Sequence, residues 1–208
     1  AQRRGDLMAV WRRTGEIKLP AMWSYIEDLL DDGYAADCSP DGSDEGGDSG
    51  KKLLLFAHHQ SIMDGLEERL TAARIAHIRI DGRTPPSTRQ SLCTRFQTDP
   101  RCRVALLSIT AASVGLTLTA ATAVLFCELF FTPGILVQAE DRAHRIGQTD
   151  SVTVHYLLAR GTLDDRLWPL LLGKLNTLEG VGLGRNDFSG MLQVEHDERQ
   201  VKMDKFLL

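Results

Sequence analysis

The sequence contains no Gly-x-x-x-x-Gly-Lys-Ser/Thr loop, the element with which many nucleotide-hydrolysing enzymes cradle the β- and γ-phosphates. It also lacks an Asp-Glu pair at the end of a predicted strand, where such a pair would hold Mg²⁺. Asp164-Asp165 comes closest, but this pair falls in the predicted first turn of a helix, where acidic side chains suit the helix dipole. These residues alone therefore lack a complete nucleotide-binding site.

Cysteine is scarce, and the spacing of the cysteines argues against a zinc site and against a disulfide framework. The four cysteines show neither the spacing of a zinc site nor that of a disulfide framework. We therefore expect no metal site, and a protein that works in a reducing compartment. The first ten residues carry charges but no apolar core, so we also expect no signal peptide.

Long apolar runs are rare, and one of them needs an explanation. Val104–Cys127 has 24 residues without a charge, which is long enough to span a bilayer. Six hydroxyl residues and Gly115 interrupt it, and its two apolar ends are short and rich in β-formers. Two buried parallel strands around a small-residue turn explain this composition better than a membrane helix, so we expect no membrane partner.

Lysine and arginine are absent from residues 31–50, which hold seven acidic residues. Without these acids the formal net charge of −4 would become positive, so the acidity of the chain does not exclude a nucleic-acid partner. Residues 33–50 are rich in glycine, aspartate and serine, and we predict a disordered acidic insertion there. A plain solvated loop is favoured over a regulatory or DNA-mimicking role.

Strand-like and helix-like segments alternate along most of the chain. Strands are predicted at 52–57, 75–80, 103–108, 123–127 and 152–158. A helix is predicted at Leu19–Leu30, with Pro20 near its first turn, and further helices after each of the first two strands and at 133–146. A last helix is predicted from Thr162, where Asp165 completes a variant of a capping box. Pro169 should kink or interrupt this last helix. This alternation predicts an α/β fold, a parallel sheet flanked by helices on both faces.

Polar residues follow four of these strands where each strand ends. They are His58-His59-Gln60, Asp81–Thr84, Ser108 with Thr110, and Glu128. Parallel sheets place functional groups in loops at the carboxyl ends of their strands, so this edge is the predicted site. A metal-binding role for His58-His59 is disfavoured, because no cysteine or carboxylate lies nearby at ligand spacing.

The segment Gln138–Gln148, QAEDRAHRIGQ, concentrates charge on one predicted helix. Gln138 and Arg142 are four residues apart, and Arg142 and Arg145 three apart, so the three share one helix face. Two neighbouring guanidiniums repel each other unless an anion lies between them, and their donors suit phosphate oxygens. A solvated helix with local Glu/Asp–Arg pairs is an equally good interpretation of the charges alone.

QAEDRAHRIGQ resembles helicase motif VI of the SWI/SNF-type ATPases of helicase superfamily 2. Thr110–Leu118, TAASVGLTL, resembles helicase motif V, and Val124–Pro133 resembles the segment that usually reads as Asp followed by Trp-Asn-Pro. FAHH at 56–59, HIRIDG at 77–82 and ITAASVGLT at 109–117 are most similar to the annealing helicases, the HepA-related proteins. The resemblance runs from about Leu19 to Leu178, apart from the acidic insertion.

The resemblance implies the C-terminal RecA-like lobe of a two-lobe DNA-dependent ATPase that rewinds DNA and remodels replication forks in the nucleus. It implies an N-terminal helical segment at 1–32 that joins from a first lobe, the insertion at 33–50, the lobe itself at 51–160, and a brace helix with a weakly ordered tail at 161–208. ATP and Mg²⁺ would be bound mainly by the first lobe, and the isolated lobe would be inactive. Double-stranded and forked DNA, the first lobe, and single-strand-binding or replication proteins are the implied partners.

The resemblance also assigns roles to individual residues. Arg142 and Arg145 would be the arginine fingers that offset charge on the transferring phosphoryl group. Contacts with ATP would come from Gln138, Gly115 and Asp141, and contacts with DNA from His58, His59, Ser108, Thr110 and Arg83.

Two other functions remain open on the residues alone. A non-catalytic α/β module could use the same cations to bind a phosphoprotein or a nucleic acid. A small α/β enzyme could use His58-His59 as its base, in which case the isolated chain would show hydrolase activity.

Overall fold

The computed structural model describes residues 2–35, 51–111, 118–140 and 152–180, with side chains for 5–31, 51–111, 118–140 and 152–175. The elements in chain order are α1 (Gln2–Ala35), β1 (Leu53–Ala57), α2 (Gln60–Ala72), β2 (His77–Ile80), α3 (Pro86–Thr98), β3 (Val104–Ser108), β4 (Ala123–Phe126), α4 (Pro133–Glu140), β5 (Thr153–Tyr156) and α5 (Asp164–Gly180).

The five strands form one sheet in the order β2-β3-β1-β4-β5, and every neighbouring pair is parallel. Leu55 of the central strand β1 is paired with Leu106 on one side and with Leu125 on the other. The predicted parallel sheet is confirmed. The uncharged run contributes two strands, β3 and β4, and no helix among the described residues is long and apolar enough to cross a membrane.

The three central strands β1, β3 and β4 bury both of their faces, because helices lie on both sides of the sheet. Leu53 and Leu55 pack with buried side chains of α1 and α2, such as Ile26. Leu54 and Phe56 belong to a second core, which α3, α4 and α5 cover. Strands buried on both faces read as continuous apolar runs, which is why β1 and β3 were recognisable in the sequence.

Helix α1 is longer than predicted, and the expectation that Pro20 lies near its first turn is wrong. The helix begins at Gln2 and continues through Pro20 to Ala35. A proline inside a helix removes one backbone hydrogen bond and costs about 3 kcal/mol. Buried side chains lie on both sides of Pro20, with Trp11 before it and Ile26 after it, and this packing offsets the cost. Residues 33–35, predicted as the start of the disordered acidic insertion, belong to α1, and the rest of the insertion lies outside the described residues.

Lys52 anchors the carboxyl end of α3 from within the core. Its ammonium group is almost fully buried and donates hydrogen bonds to the carbonyl oxygens of Phe96 and Asp99, the latter at 2.8 Å. The last carbonyls of a helix have no partner within the helix, and a cation there also suits the helix dipole. Burial lowers the pKa of Lys52 despite the nearby negative groups.

Helix α5 begins as predicted, but its capping contacts are displaced by one residue. The Thr162 hydroxyl accepts a hydrogen bond from the Asp164 amide at 3.2 Å, and the Asp165 carboxylate accepts one from the Gly161 amide at 2.7 Å. Gly161 has φ +73°, a conformation that favours glycine. Pro169 lies inside the helix without ending it.

Candidate functional site

The carboxyl edge of the sheet joins two of the polar clusters through one buried carboxylate. Strands β1 and β4 are neighbours, so the residues that follow them meet. Glu128 Oε2 accepts hydrogen bonds from the His58 and His59 amides at 2.7 and 2.9 Å, and its Oε1 lies 2.6 Å from His59 Nδ1. The Glu128 side chain is 1% exposed. This carboxylate thus fixes the turn after β1 against the loop after β4.

The ionised form of Glu128 is the stable one. Burial acts to raise its pKa, but the hydrogen bonds from the His59 ring and the two backbone amides outweigh burial and hold the pKa below its ordinary value. A buried charge is tolerated when several donors surround it, as they do here.

Trp11 of α1 packs into the same cluster. Its ring stacks on His58 with a centroid distance of 4.5 Å and an angle of 13°, and meets His59 edge-on at 4.6 Å. Its indole N–H donates to the Leu129 carbonyl oxygen at 3.1 Å. The sequence interpretation missed Trp11, because it began the helix at Leu19, eight residues after Trp11. The signal that could have found it is the recurrence of Trp11, Lys18 and Met22 at helical intervals.

Gly15 lets α1 approach this cluster closely. A Cβ at this position would lie 2.8 Å from Glu128 Oε1 and about as close to the side chain of Ile62. The helix therefore needs a residue without a side chain here, although glycine in a helix interior costs about 1 kcal/mol relative to alanine.

The environment of His58 favours its neutral form. Burial lowers the pKa of His58, and the neighbouring His59 lowers it further, against the effect of Glu128. His58 Nδ1 is buried and has no hydrogen-bond partner among the described residues. Within the described ranges there is also no group of three or more His, Cys, Asp or Glu side chains that could hold a metal ion. The predicted DNA contacts of His58 and His59 remain a prediction.

A second cluster lies at the end of β2, around Arg79. Its guanidinium contacts three carboxylates, those of Asp64 at 2.7 Å, Glu67 at 2.5 Å and Asp81 at 3.1 Å. Burial alone would lower the pKa of Arg79, but Asp64 and Glu67 raise it. Burial would raise the pKa of Asp81, but the amide of Arg83 and the guanidinium of Arg79 lower it. The cluster lines an open cavity of about 470 Å³. The sequence interpretation missed Arg79; Asp64 and Glu67, three apart on one face of α2, were the available signal.

Gln60 connects the two clusters. Its side-chain oxygen accepts hydrogen bonds from the guanidiniums of Arg79, at 2.9 Å, and Arg83. Arg83, a predicted DNA contact, is the outermost of these cations, with 70% of its side chain exposed, and lies 3.8 Å from Asp81. The structure therefore brings the turns after β1 and β2 together through one amide.

The remaining predicted site residues fall into two groups. The hydroxyl oxygens of Ser108 and Thr110 lie 3.0 Å apart, and Ser108 is buried whereas Thr110 is exposed. Gln138 is exposed on α4. Gly115, Asp141, Arg142 and Arg145 lie outside the described residues.

The last described residue of α4 is held by β5. Glu140 is 8% exposed, and the Tyr156 hydroxyl donates to its Oε1 at 2.5 Å. Pro133, which opens α4, follows Glu128 by five residues, so the buried carboxylate cluster and this helix are separated by a short connection.

Comparison with known proteins adds three findings. Residues 45–147 match the family model described as the helicase conserved C-terminal domain. The chain is 45% identical, over 188 residues, to the SWI/SNF-related matrix-associated actin-dependent regulator of chromatin subfamily A-like protein 1 of Xenopus laevis, an alignment that covers 90% of this chain and 18% of that protein. It is 46% identical, over 149 residues, to the human DNA annealing helicase and endonuclease ZRANB3, covering 72% of this chain and 14% of that protein.

The fold is similar to that in the crystal structure of the C-terminal part of the Fun30 ATPase domain. The TM-score is 0.57 at 31% sequence identity, with 60% of this chain and 40% of that chain covered. The RecA-like α/β fold expected from the sequence is thereby confirmed. The chain spans less than a fifth of the length of either relative named above.

Proposed function

Because residues 45–147 belong to the helicase conserved C-terminal domain family and the chain resembles SWI/SNF-related helicases, we propose that it is the second lobe of a DNA-dependent ATPase of the annealing-helicase type. The observation that best supports this function is the course of α4. The helix starts directly after the loop of β4, at the edge where a parallel sheet presents its functional groups, and it leads into the arginine segment.

The chemistry of the lobe follows from what it has and lacks. The sequence has no phosphate loop, and the described residues hold no metal-binding cluster, so ATP and Mg²⁺ are held mainly by a first lobe. Bound there, ATP supplies the phosphoryl group that is transferred to water. Gln138, Gly115 and Asp141 approach the nucleotide from this side, and the guanidiniums of Arg142 and Arg145 offset the charge that develops on the phosphoryl group.

DNA lies along the carboxyl edge in this proposal. Arg83 and Thr110 are exposed there, His58 and His59 are half-buried, and buried Ser108 contacts Thr110 through its hydroxyl. The groups that reach the surface contact the phosphate backbone, which positions a duplex without reading its sequence. The complete protein would act in the nucleus on double-stranded and forked DNA, rewind it during fork remodelling, and work with single-strand-binding or replication proteins.

Substitution of the two arginines tests the assignment. In the full-length protein, Arg142→Ala and Arg145→Ala should each lower kcat for ATP about 100-fold or more, the range known for arginine fingers, while DNA affinity changes little. Steady-state ATPase and DNA-binding assays measure both quantities. Arg101→Ala is the matched control, because Arg101 is 87% exposed and precedes β3 at the opposite edge of the sheet. Full turnover in both test variants would remove the assignment.

The isolated 208-residue chain should bind ATP weakly and hydrolyse essentially none, because the residues that cradle the phosphates are not in its sequence. An ATPase assay of this chain, with and without duplex DNA, measures this directly. DNA-stimulated hydrolysis by the purified chain would contradict the two-lobe mechanism.

A further inference from the structure

We propose that Tyr156 is a positioning residue for the arginine segment, because its hydroxyl holds Glu140 two residues before Arg142. This inference depends on the proposed function, in which Arg142 and Arg145 meet the triphosphate. The proposed role of Tyr156 is to fix the rotation of α4, and therefore the direction in which the chain continues from it.

The contact between the two side chains is short and shielded. Tyr156 Oη lies 2.5 Å from Glu140 Oε1, and Glu140 is 8% exposed. Burial, together with the charge and hydrogen bond of Glu140, raises the pKa of Tyr156, so the hydroxyl stays protonated and remains a donor at neutral pH. A hydrogen bond to a charged group in a dry environment is worth more than a bond between neutral groups.

The ring of Tyr156 is itself immobilised by other aromatic rings. It stacks on Phe126 with a centroid distance of 4.6 Å and an angle of 10°, and Phe126 stacks on Phe56 at 5.2 Å. Trp168 of α5 also packs against this ring, with a centroid distance of 5.1 Å and an angle of 44°. The hydroxyl is therefore held by the sheet and by α5, so its position does not depend on α4.

The hydrogen bond from the Tyr156 hydroxyl to Glu140 determines the rotation of α4 about its own axis. Successive residues of a helix are about 100° apart around its axis, so a rotation by one residue would move Glu140 out of reach of Tyr156. Arg142 follows Glu140 by two residues in the chain, so the contact that holds Glu140 sets the point from which the chain continues toward Arg142. A misplacement of about 1 Å in a catalytic group can cost about 100-fold in rate.

The test is Tyr156→Phe in the full-length protein, which removes one hydroxyl and keeps the ring stack. We expect kcat for ATP to fall about tenfold, while KM for ATP and DNA affinity change less than about twofold. Hydrogen exchange of the peptide covering 138–148 should become faster, because α4 loses its anchor.

Tyr25→Phe is the matched control. The Tyr25 hydroxyl also bonds to β5, to His155 Nδ1 at 3.0 Å, but from α1, which covers the opposite face of the sheet from α4. This variant also loses one tyrosine hydroxyl, but it should retain the kcat for ATP and the hydrogen-exchange rate of the peptide covering 138–148. A loss of activity that is equal in both variants would show a general effect on stability and would overturn the inference.

A second pair of variants keeps the inference testable if Tyr156→Phe folds poorly. Glu140→Gln retains a carbonyl oxygen that can accept from Tyr156, and Glu140→Ala does not, so kcat should fall further in the alanine variant. Equal kcat in the two would overturn the inference. Arg142→Ala, measured in parallel, separates the two claims: normal turnover there refutes the proposed function, whereas impaired turnover there with a normal Tyr156→Phe protein refutes only the positioning role.

Discussion

At the scale of single residues, Glu128 shows how one buried charge is stabilised by its neighbours. Two amides and the His59 ring surround its oxygens, and Trp11 and Gly15 place α1 against the same group. The sequence placed Glu128 correctly at the end of a strand. It did not reveal the bonds to the His58 and His59 amides, because these depend on which strands are neighbours in the sheet.

Glu128→Gln should alter the dependence of stability on pH. The folded pKa of Glu128 is lowered, so its stabilising effect is fully present above the ordinary value of 4.5 and is lost as the pH falls through the lower folded value. We expect the variant to be about 1–2 kcal/mol less stable than the parent at pH 7, because charge-assisted bonds become neutral ones, and the difference to shrink as the pH falls below 4.5. Urea unfolding at several pH values measures this.

Glu27→Gln is the control for this experiment, because Glu27 is exposed on α1. A constant difference between parent and Glu128→Gln from pH 7 to pH 3 would show that the charge of Glu128 does not stabilise the fold.

At the scale of secondary-structure elements, a buried ion pair ties the first helix to the last. Lys18 Nζ lies 2.9 Å from Asp164 Oδ2 and donates to the Leu157 carbonyl oxygen at the same distance, and both side chains are at most 5% exposed. Asp164 also accepts from the Ala159 amide at 3.0 Å. The pair therefore joins α1, the chain after β5 and the start of α5.

Lys18→Met should destabilise the lobe by about 3–5 kcal/mol, because it leaves the buried Asp164 carboxylate without its cation. The double variant Lys18→Met/Asp164→Asn should recover part of this loss, since it removes the uncompensated charge. Thermal and urea unfolding measure both, and Lys51→Met, at an exposed position, should be close to neutral. If the single Lys18 variant were as stable as the parent, the ion pair would not couple these elements.

Elements were predictable where one chain segment carried the signal. The continuous apolar runs of β1 and β3 predicted buried parallel strands, and Ile62, Met63, Leu66 and Leu70 predicted α2. The first half of α1 was not predicted, because Pro20 indicates a helix start and the contacts that override it come from distant residues. Arg79 was missed for a similar reason: it alternates with isoleucines in β2, and only the fold brings Asp64 and Glu67 to it.

At the scale of the whole molecule, the sheet order explains the grouping of the predicted site. β3 and β1 lie side by side between β2 and β4, so the turns after four strands share one edge, and Gln60 bridges two of them. Sequence alone predicted this edge from the general behaviour of parallel sheets. It could not predict that Ser108 is buried while Thr110 is exposed, since this depends on packing around the end of β3.

The most direct measurement of the central claim is single-turnover ATP hydrolysis by the full-length protein at saturating duplex DNA. Arg142→Ala and Arg145→Ala are compared with the parent and with Arg101→Ala. We expect a chemical step at least about 100-fold slower in both test variants, with DNA affinity unchanged and the Arg101 variant unaffected. Parent-like rates in both test variants would contradict the claim that these two guanidiniums act on the transferring phosphoryl group.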